Sequence, residues 1–383
     1  MQPHSVKAVL TNVLVSLSVL ALMICLPPLV LDAYRIVRAY LPISVLTGLR
    51  ISPYESVNDW AALPNYVHEP WARQHFIELA HVAMATRPVY DDFTIFHYEG
   101  PYSGSTITID RDGYRLHKGA ATTSPQESDV WMFGGSTMWG WGAPDDGTIP
   151  ALLERTTNAR VFNFAQTAYT AHQSLNLMLR KYAEGGAPRD VVFYDGVNEV
   201  EHCGADRDFY ATQWQTMVRE ALHDGQFRDG SALLEVFRPS AWAAQKLLKA
   251  LGRDKEAGYE CASAPDRARL IARAFALTWS AARAVVEQHG GRFHPVLQPV
   301  AYIGAPQLAH LEGQLPEIYG PEYRALYAAI REELDKAGVA YTDMTAAFDG
   351  EDYLYFDFCH VTPSGNEKIA RGLADIMKTS RPR

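Results

Sequence analysis

Blocks of lysine or arginine are missing from this 383-residue chain, whose 35 basic and 44 acidic side chains leave a formal net charge of −9. Without a basic footprint to neutralise phosphates, nucleic-acid binding is disfavoured. Internal repeats and low-complexity tracts are absent too. What remains is an ordinary globular composition, 48% hydrophobic and 21% charged, long enough for one large domain with additions or for two small ones. Cysteine is scarce, with four in all. Cys25 lies in an apolar run and Cys359 inside a motif described below. Cys203 and Cys261 are left, either as a disulfide or as two unrelated thiols, because sequence alone does not fix connectivity. His172, His202 and His223 lack the ligand spacing of a zinc site.

Charge is also missing from Ala8 to Leu26, which reads AVLTNVLVSLSVLALMICL and is followed by Pro27, Pro28 and the apolar Leu29 to Leu31. About 20 apolar residues suffice to span hydrocarbon. A cleaved signal peptide would call for a more basic start than Lys7 and for a small-x-small cleavage site. Cys25 follows Leu-Met-Ile, which is not a lipoprotein acceptor context. A retained single-pass anchor with its stem is therefore expected over residues 1–50. Arg35, Arg38 and Arg50 after the apolar run lean towards a cytoplasmic main domain, yet large domains translocate regardless of flanking charge.

Residues 51–128 mix aromatics, prolines and turn formers. Ser105 to Asp110 alternates like a strand, Asp112-Gly113 is a hairpin signal, and Tyr114-Arg115-Leu116 would be the returning strand. The region reads as a β-containing lead-in. From Asp129 the rhythm is α/β. Strands are expected at Val130–Phe133, Arg160–Asn163, Asp190–Tyr194, Phe293–Gln298 and Val339–Thr342. Helices are expected at Thr148–Thr156, Ala171–Glu184, Arg267–His289, Glu322–Ala337 and Ser364–Lys378. Apolar strands alternating with helices point to a parallel sheet covered on both faces. The rhythm breaks at about 201–265, which reads as a helical insertion near the carboxyl edge of the sheet.

Loops at the carboxyl ends of parallel strands converge on one crevice. Here those loops hold Gly135-Ser136, the residues after Asn163, and Gly196-Val197-Asn198. A serine hydroxyl is a weak nucleophile until a positioned base takes its proton. His360 can be that base, and Asp357, three residues earlier, can hold its other ring nitrogen. Donors for a developing oxyanion could come from the N–H of Ser136, an N–H after Asn163 and the Asn198 amide.

These residues carry a resemblance. Phe133-Gly-Gly-Ser-Thr-Met-Trp-Gly140 resembles the first block of SGNH/GDSL hydrolases, with Ser136 as nucleophile. Asn163-Phe-Ala-Gln-Thr-Ala-Tyr-Thr170 resembles the second block, Gly196-Val-Asn-Glu199 the third, and Asp357-Phe-Cys-His360 the last. The likeness runs from about Asp129 to Thr379. It implies a flavodoxin-like three-layer α/β/α sandwich, no metal or organic cofactor, and a hydrolase domain over 129–383. The second block usually has a glycine whose N–H enters the oxyanion hole, and Ala165 is taken to stand there. Glu199 replaces the aspartate that often ends the third block.

Four other residues invite two readings. Cys359 between acid and base suggests redox control or a small packed side chain. Trp139 and Trp141 suit an acyl or sugar pocket as well as core packing. Arg115 could reach the crevice or make a structural salt bridge.

The resemblance implies ester hydrolysis through an acyl-enzyme on Ser136. With the anchor and aromatic lead-in, the chain is similar to bacterial SGNH proteins that edit surface glycans. A short-chain, O-acetyl esterase acting on carbohydrate outside the cytoplasm is the leading expectation. An O-acetyltransferase, a lipid-directed acylhydrolase and a non-catalytic glycan-binding protein on the same fold stay open. Oligomeric state is not legible.

Overall fold

The computed structural model describes residues 56–85, 89–117, 124–204 and 258–379. The expected anchor and stem (1–50) and most of the expected insertion lie outside them. Among the described residues no helix is long and apolar enough to cross a membrane.

Short elements come first. Helices α1 (Val57–Ala61) and α2 (Ala72–Leu79) precede an antiparallel pair, β1 (Val89–Asp91) with β2 (Ile95–His97). A three-stranded antiparallel sheet follows, made of β3 (Tyr102–Ser103), β4 (Thr108–Ile109) and β5 (Arg115–Leu116). The hairpin signal at Asp112-Gly113 does join β4 to β5, with Ile109 opposite Arg115. The first strand is shorter than the alternation from Ser105 suggests. The N–H groups of Ser105, Thr106 and Ile107 all donate to the Glu78 carboxylate on α2, at 2.8, 2.9 and 3.0 Å, and so cannot join a ladder. Burial pushes this carboxyl up, but hydrogen bonds from Gln74, Ser105 and Thr106 prevail and bring it down to about 2.

The main sheet has five parallel strands: β6 (Val130–Gly134), β7 (Val161–Asn163), β8 (Asp190–Asp195), β9 (Arg292–Leu297) and β10 (Thr342–Asp343). Their spatial order is β7-β6-β8-β9-β10. Every residue of β6 and β8 is buried, as strands covered on both faces must be. The helices between and after them are α3 (Ser136–Trp139), α4 (Ile149–Thr157), α5 (Ala171–Ala183), α6 (Pro265–Gln288), α7 (Tyr319–Lys336) and α8 (Pro363–Thr379). The chain steps one way from β6 to β7 and the other way from there to β10. Right-handed crossovers then put α4 on one face and α5, α6 and α7 on the other. The packing agrees: α6 lies against α5 and α7, and α4 against α8. This is a three-layer, flavodoxin-like α/β/α arrangement.

The last strand starts later than the apolar run Val339–Thr342 suggests. Helix α7 closes at Gly338, held at φ 64°, and the Val339 N–H returns to the Leu334 carbonyl at 3.0 Å. That closure uses Val339 as part of the helix cap, so pairing with β9 begins only at Thr342. The order in which strands are added reverses between β6 and β8, and the crevice beyond their carboxyl ends is where such sheets build sites. Residues Cys203 and Cys261 are joined by a disulfide, with their Cα atoms 5.2 Å apart.

Candidate active site

Ser136 is the first residue of α3 and follows β6 through Gly134-Gly135. A Cβ added to Gly135 would lie 2.2 Å from the Asn198 side-chain nitrogen. Only glycine lets that amide come so close to the backbone beside Ser136. Asn198 itself follows β8 and donates from Nδ2 to the Tyr169 carbonyl at 2.7 Å, tying the third loop to the second.

The final loop supplies the other two groups. His360 Nε2 is 2.6 Å from Ser136 Oγ, and His360 Nδ1 is 2.6 Å from Asp357 Oδ2. The other Asp357 oxygen accepts from the N–H groups of Cys359 and His360, at 2.8 and 2.7 Å. Burial pushes the Asp357 carboxyl up, yet the His360 imidazole and these backbone bonds outweigh it and hold it below its ordinary value. An ionised carboxylate only accepts, so Nδ1 must donate to it. Neutral imidazole then offers Nε2 as acceptor, and the serine hydroxyl donates. The hydroxyl proton already points at a base. Ser136 and His360 are 7% and 6% exposed, so this chain of bonds is shielded from water without being sealed.

The imidazole is held between aromatic rings. Trp141 stacks on it at 4.8 Å and Phe356 at 5.6 Å. The indole N–H of Trp141 donates to Thr167 Oγ1 at 3.1 Å, and the Tyr98 hydroxyl donates to the same oxygen. The two tryptophans thus divide the readings made of them. Trp141 walls the crevice, whereas Trp139 is fully buried beneath the Arg115 guanidinium, 4.5 Å away, and beside Tyr98.

Arg115 does not reach the crevice. Its buried guanidinium pairs with Asp145 at 3.1 Å and donates to the carbonyls of Gly140 and Ala143 at 2.6 and 2.7 Å. It fixes the turn after α3 from below. Cys359 is buried, and burial followed by the Asp357 charge pushes its thiol well up. It stays a thiol and packs, which argues against redox control.

The second loop departs from expectation. The Ala165 N–H donates to Asn163 Oδ1 at 3.0 Å and Ala165 is fully buried, so that donor is already engaged inside the loop. The residue held in the left-handed region is Ala168, with φ 61°, three positions later and half-buried beside Thr167. That is the conformation glycine favours. No sequence signal marks it, because an alanine carries no sign of its φ.

Two more acids lie behind the site. Glu199 accepts from the Ala171 N–H at 2.8 Å and the Gly196 N–H at 3.0 Å. Asp195 accepts from the Trp279 indole at 3.2 Å. Burial pushes both carboxyls up, Glu199 to about 7, and the Glu199 charge raises Asp195 further. His172 and His202 line a cavity of about 50 Å³ next to Glu199, and His223 lies outside the described residues. Among the described residues, two groups could hold a cation by distance alone: Cys203 and Cys261 with Glu322, and Asp357 with Cys359 and His360. The first two cysteines are already bonded to each other, and the second group is the hydrogen-bonded chain with Ser136.

A scan against protein-family models finds no match, and neither does a search of curated proteins. Solved structures do match. An acetyl xylan esterase is 14% identical at a TM-score of 0.37, covering 64% of this chain and 98% of its own. A carbohydrate acetylesterase from Sinorhizobium meliloti is 11% identical at 0.37, covering 65% and 98%. An aryl esterase of M. smegmatis is 14% identical at 0.37, with the same coverage. At this level of likeness the chemistry rests on the residues of the crevice themselves.

Proposed function

We infer that this chain is a serine ester hydrolase of the SGNH/GDSL type, working through an acyl-enzyme on Ser136. The observation that carries the reading is His360, bonded to Ser136 at one ring nitrogen and to Asp357 at the other, 2.6 Å each, at the switch point of a parallel sheet. Ser136 Oγ attacks the ester carbonyl while His360 Nε2 takes its proton, and Asp357 stabilises the imidazolium. His360 returns that proton to the leaving alcohol. Water, deprotonated by the same nitrogen, then releases the acid and restores the serine.

The oxyanion needs donors in place before the reaction begins. The N–H of Ser136 is one, and the Asn198 amide has a second hydrogen besides the one given to Tyr169. We assign the third to Ala168, whose left-handed backbone turns the loop beside Thr167 and the Trp141 wall, in place of Ala165.

A short acyl group, acetyl above all, on a carbohydrate or other cell-surface glycan is the proposed substrate. The nearly buried Ser136 and the Trp141 and Phe356 rings against His360 support a small acyl site. Action outside the cytoplasm, tethered by residues 8–26, is supported by the Cys203–Cys261 disulfide, since such bonds persist in oxidising compartments. The test is turnover of p-nitrophenyl esters from acetate to laurate, followed by acetate release from an acetylated polysaccharide. Fastest turnover on acetate is expected. Fastest turnover on laurate would move the substrate to lipids. Acyl transfer to an added sugar in preference to water would make the chain a transferase.

A further inference from the structure

Behind the crevice is a side chain that the triad does not use. Glu199 is 4% exposed, and its two carboxylate oxygens reach two different loops. One accepts from the N–H of Ala171, the first residue of α5, directly after the Tyr169-Thr170 end of the second loop. The other accepts from the N–H of Gly196, which opens the turn carrying Asn198. The same two loops meet again in front, where the Asn198 amide donates to the Tyr169 carbonyl at 2.7 Å. The Asn198 amide is therefore held on a frame closed on both sides, by its own bond in front and by Glu199 behind.

The rest of the pocket suits a carboxylate there. The amino end of α5 points at it, where partial positive charge favours an anion. Its neighbour Asp195 is raised by burial and by the Glu199 charge, and has one oxygen without a hydrogen-bond partner among the described residues. Two buried carboxyls this close do not both ionise, and the backbone N–H bonds sit on Glu199. Asp195 is thus the one that keeps a proton.

We propose that Glu199 is a positioning residue for ester hydrolysis: by clamping the N–H groups of Ala171 and Gly196, its carboxylate holds the Asn198 amide where the oxyanion forms. This rests on the function proposed above. Glutamine at 199 has nearly the same shape, but it brings an NH2 group against one of the two N–H donors and opens the clamp.

The test is a double-mutant cycle of Glu199→Gln with Asn198→Ala, read as kcat and KM on p-nitrophenyl acetate, with thermal melting beside it. Asn198→Ala is expected to lower kcat about 10²-fold, the scale for one oxyanion donor. Glu199→Gln is expected to lower kcat roughly tenfold or more with KM within about twofold, and to add nothing in the Asn198→Ala background. Glu199→Asp, which keeps the charge on a shorter arm, is expected to fall between Gln and the wild type. A Glu199→Gln enzyme with wild-type kcat, or losses that multiply in the double variant, would overturn the proposal. A parent chain that neither turns over ester nor labels at Ser136 would overturn the reading of the site, and this proposal with it.

Discussion

The main sheet carries an aspartate–histidine pair at each end, and the two could hardly serve more different ends. At the amino edge, Asp190 opens β8 and bonds His294 Nε2 on β9 at 2.8 Å. Asp190 is fully buried and also receives Arg189 at 3.0 Å and Arg292 at 2.7 Å. Beyond the carboxyl edge, Asp357 and His360 lie in one loop, 2.6 Å apart. The first pair is saturated by cations, and both of its members sit inside strands. The second has backbone N–H groups for support and a hydroxyl waiting on the far nitrogen. A carboxylate beside an imidazole is therefore not yet a catalytic device. What converts it is a nucleophile on the other side and a loop position that leaves room for a substrate.

The contrast can be broken most sharply by removing each imidazole in turn. His360→Ala is expected to lower kcat by about 10⁴-fold or more while leaving the melting temperature nearly unchanged. His294→Ala should keep kcat per folded molecule and lose on the order of 2–4 kcal/mol of stability by leaving Asp190 short of a partner. Ester kinetics and urea unfolding on both variants decide it. Equal kinetic losses would dissolve the distinction.

Acid separates structural carboxylates from the crevice next. Burial pushes Asp190 up, but His294, Arg292 and Arg189 outweigh it and hold the carboxyl well below the usual range. Glu78 is likewise brought down to about 2. Groups depressed in the folded state lend stability that is present above their unfolded pKa and is lost as pH falls through the folded value. For Glu78 the window runs from about 4.5 down to about 2, worth roughly 3 kcal/mol. Glu78→Gln should melt lower at neutral pH and show a flatter melting curve between pH 5 and about 2. An unchanged acid limb in that variant would show that Glu78 is not what holds α2 to the 105–107 turn.

The smallest expected effect concerns Ala168. Glycine there relieves a left-handed alanine, so Ala168→Gly should change stability by only about 1 kcal/mol and kcat by no more than a few fold. Replacing the Ala168 N–H by an ester oxygen (lactic acid at 168) keeps the left-handed φ that proline cannot adopt, and should lower kcat about 10²-fold if that donor faces the oxyanion. The comparison with Ala165, whose N–H is already bonded to Asn163, sharpens the assignment.

How much of this was legible beforehand follows from distance along the chain. Strand β6 is an apolar run ended by glycine, β8 is an apolar run between two aspartates, and the helices show the 3.6-residue period, so both could be read locally. Asp357-x-x-His360 is local as well, and its link to Ser136 could be read from the order of loops on a parallel sheet. What escaped is tertiary or conformational. Asp190 and His294 are 104 positions apart. Glu78 takes the N–H groups of residues 105–107 from 27 positions away or more. Trp141 gave equal support to two readings until its ring was found on His360. Ala168 rather than Ala165 holds the left-handed turn because backbone dihedrals are not written in an alanine.

The most direct test of the central claim is active-site labelling of the chain with a fluorophosphonate, followed by peptide mapping. One phosphonyl group per molecule on Ser136 is expected, with labelling abolished in Ser136→Ala and strongly slowed in His360→Ala. Labelling that survives in Ser136→Ala, or a folded wild-type chain that takes no label, would contradict the assignment of Ser136 as an activated nucleophile.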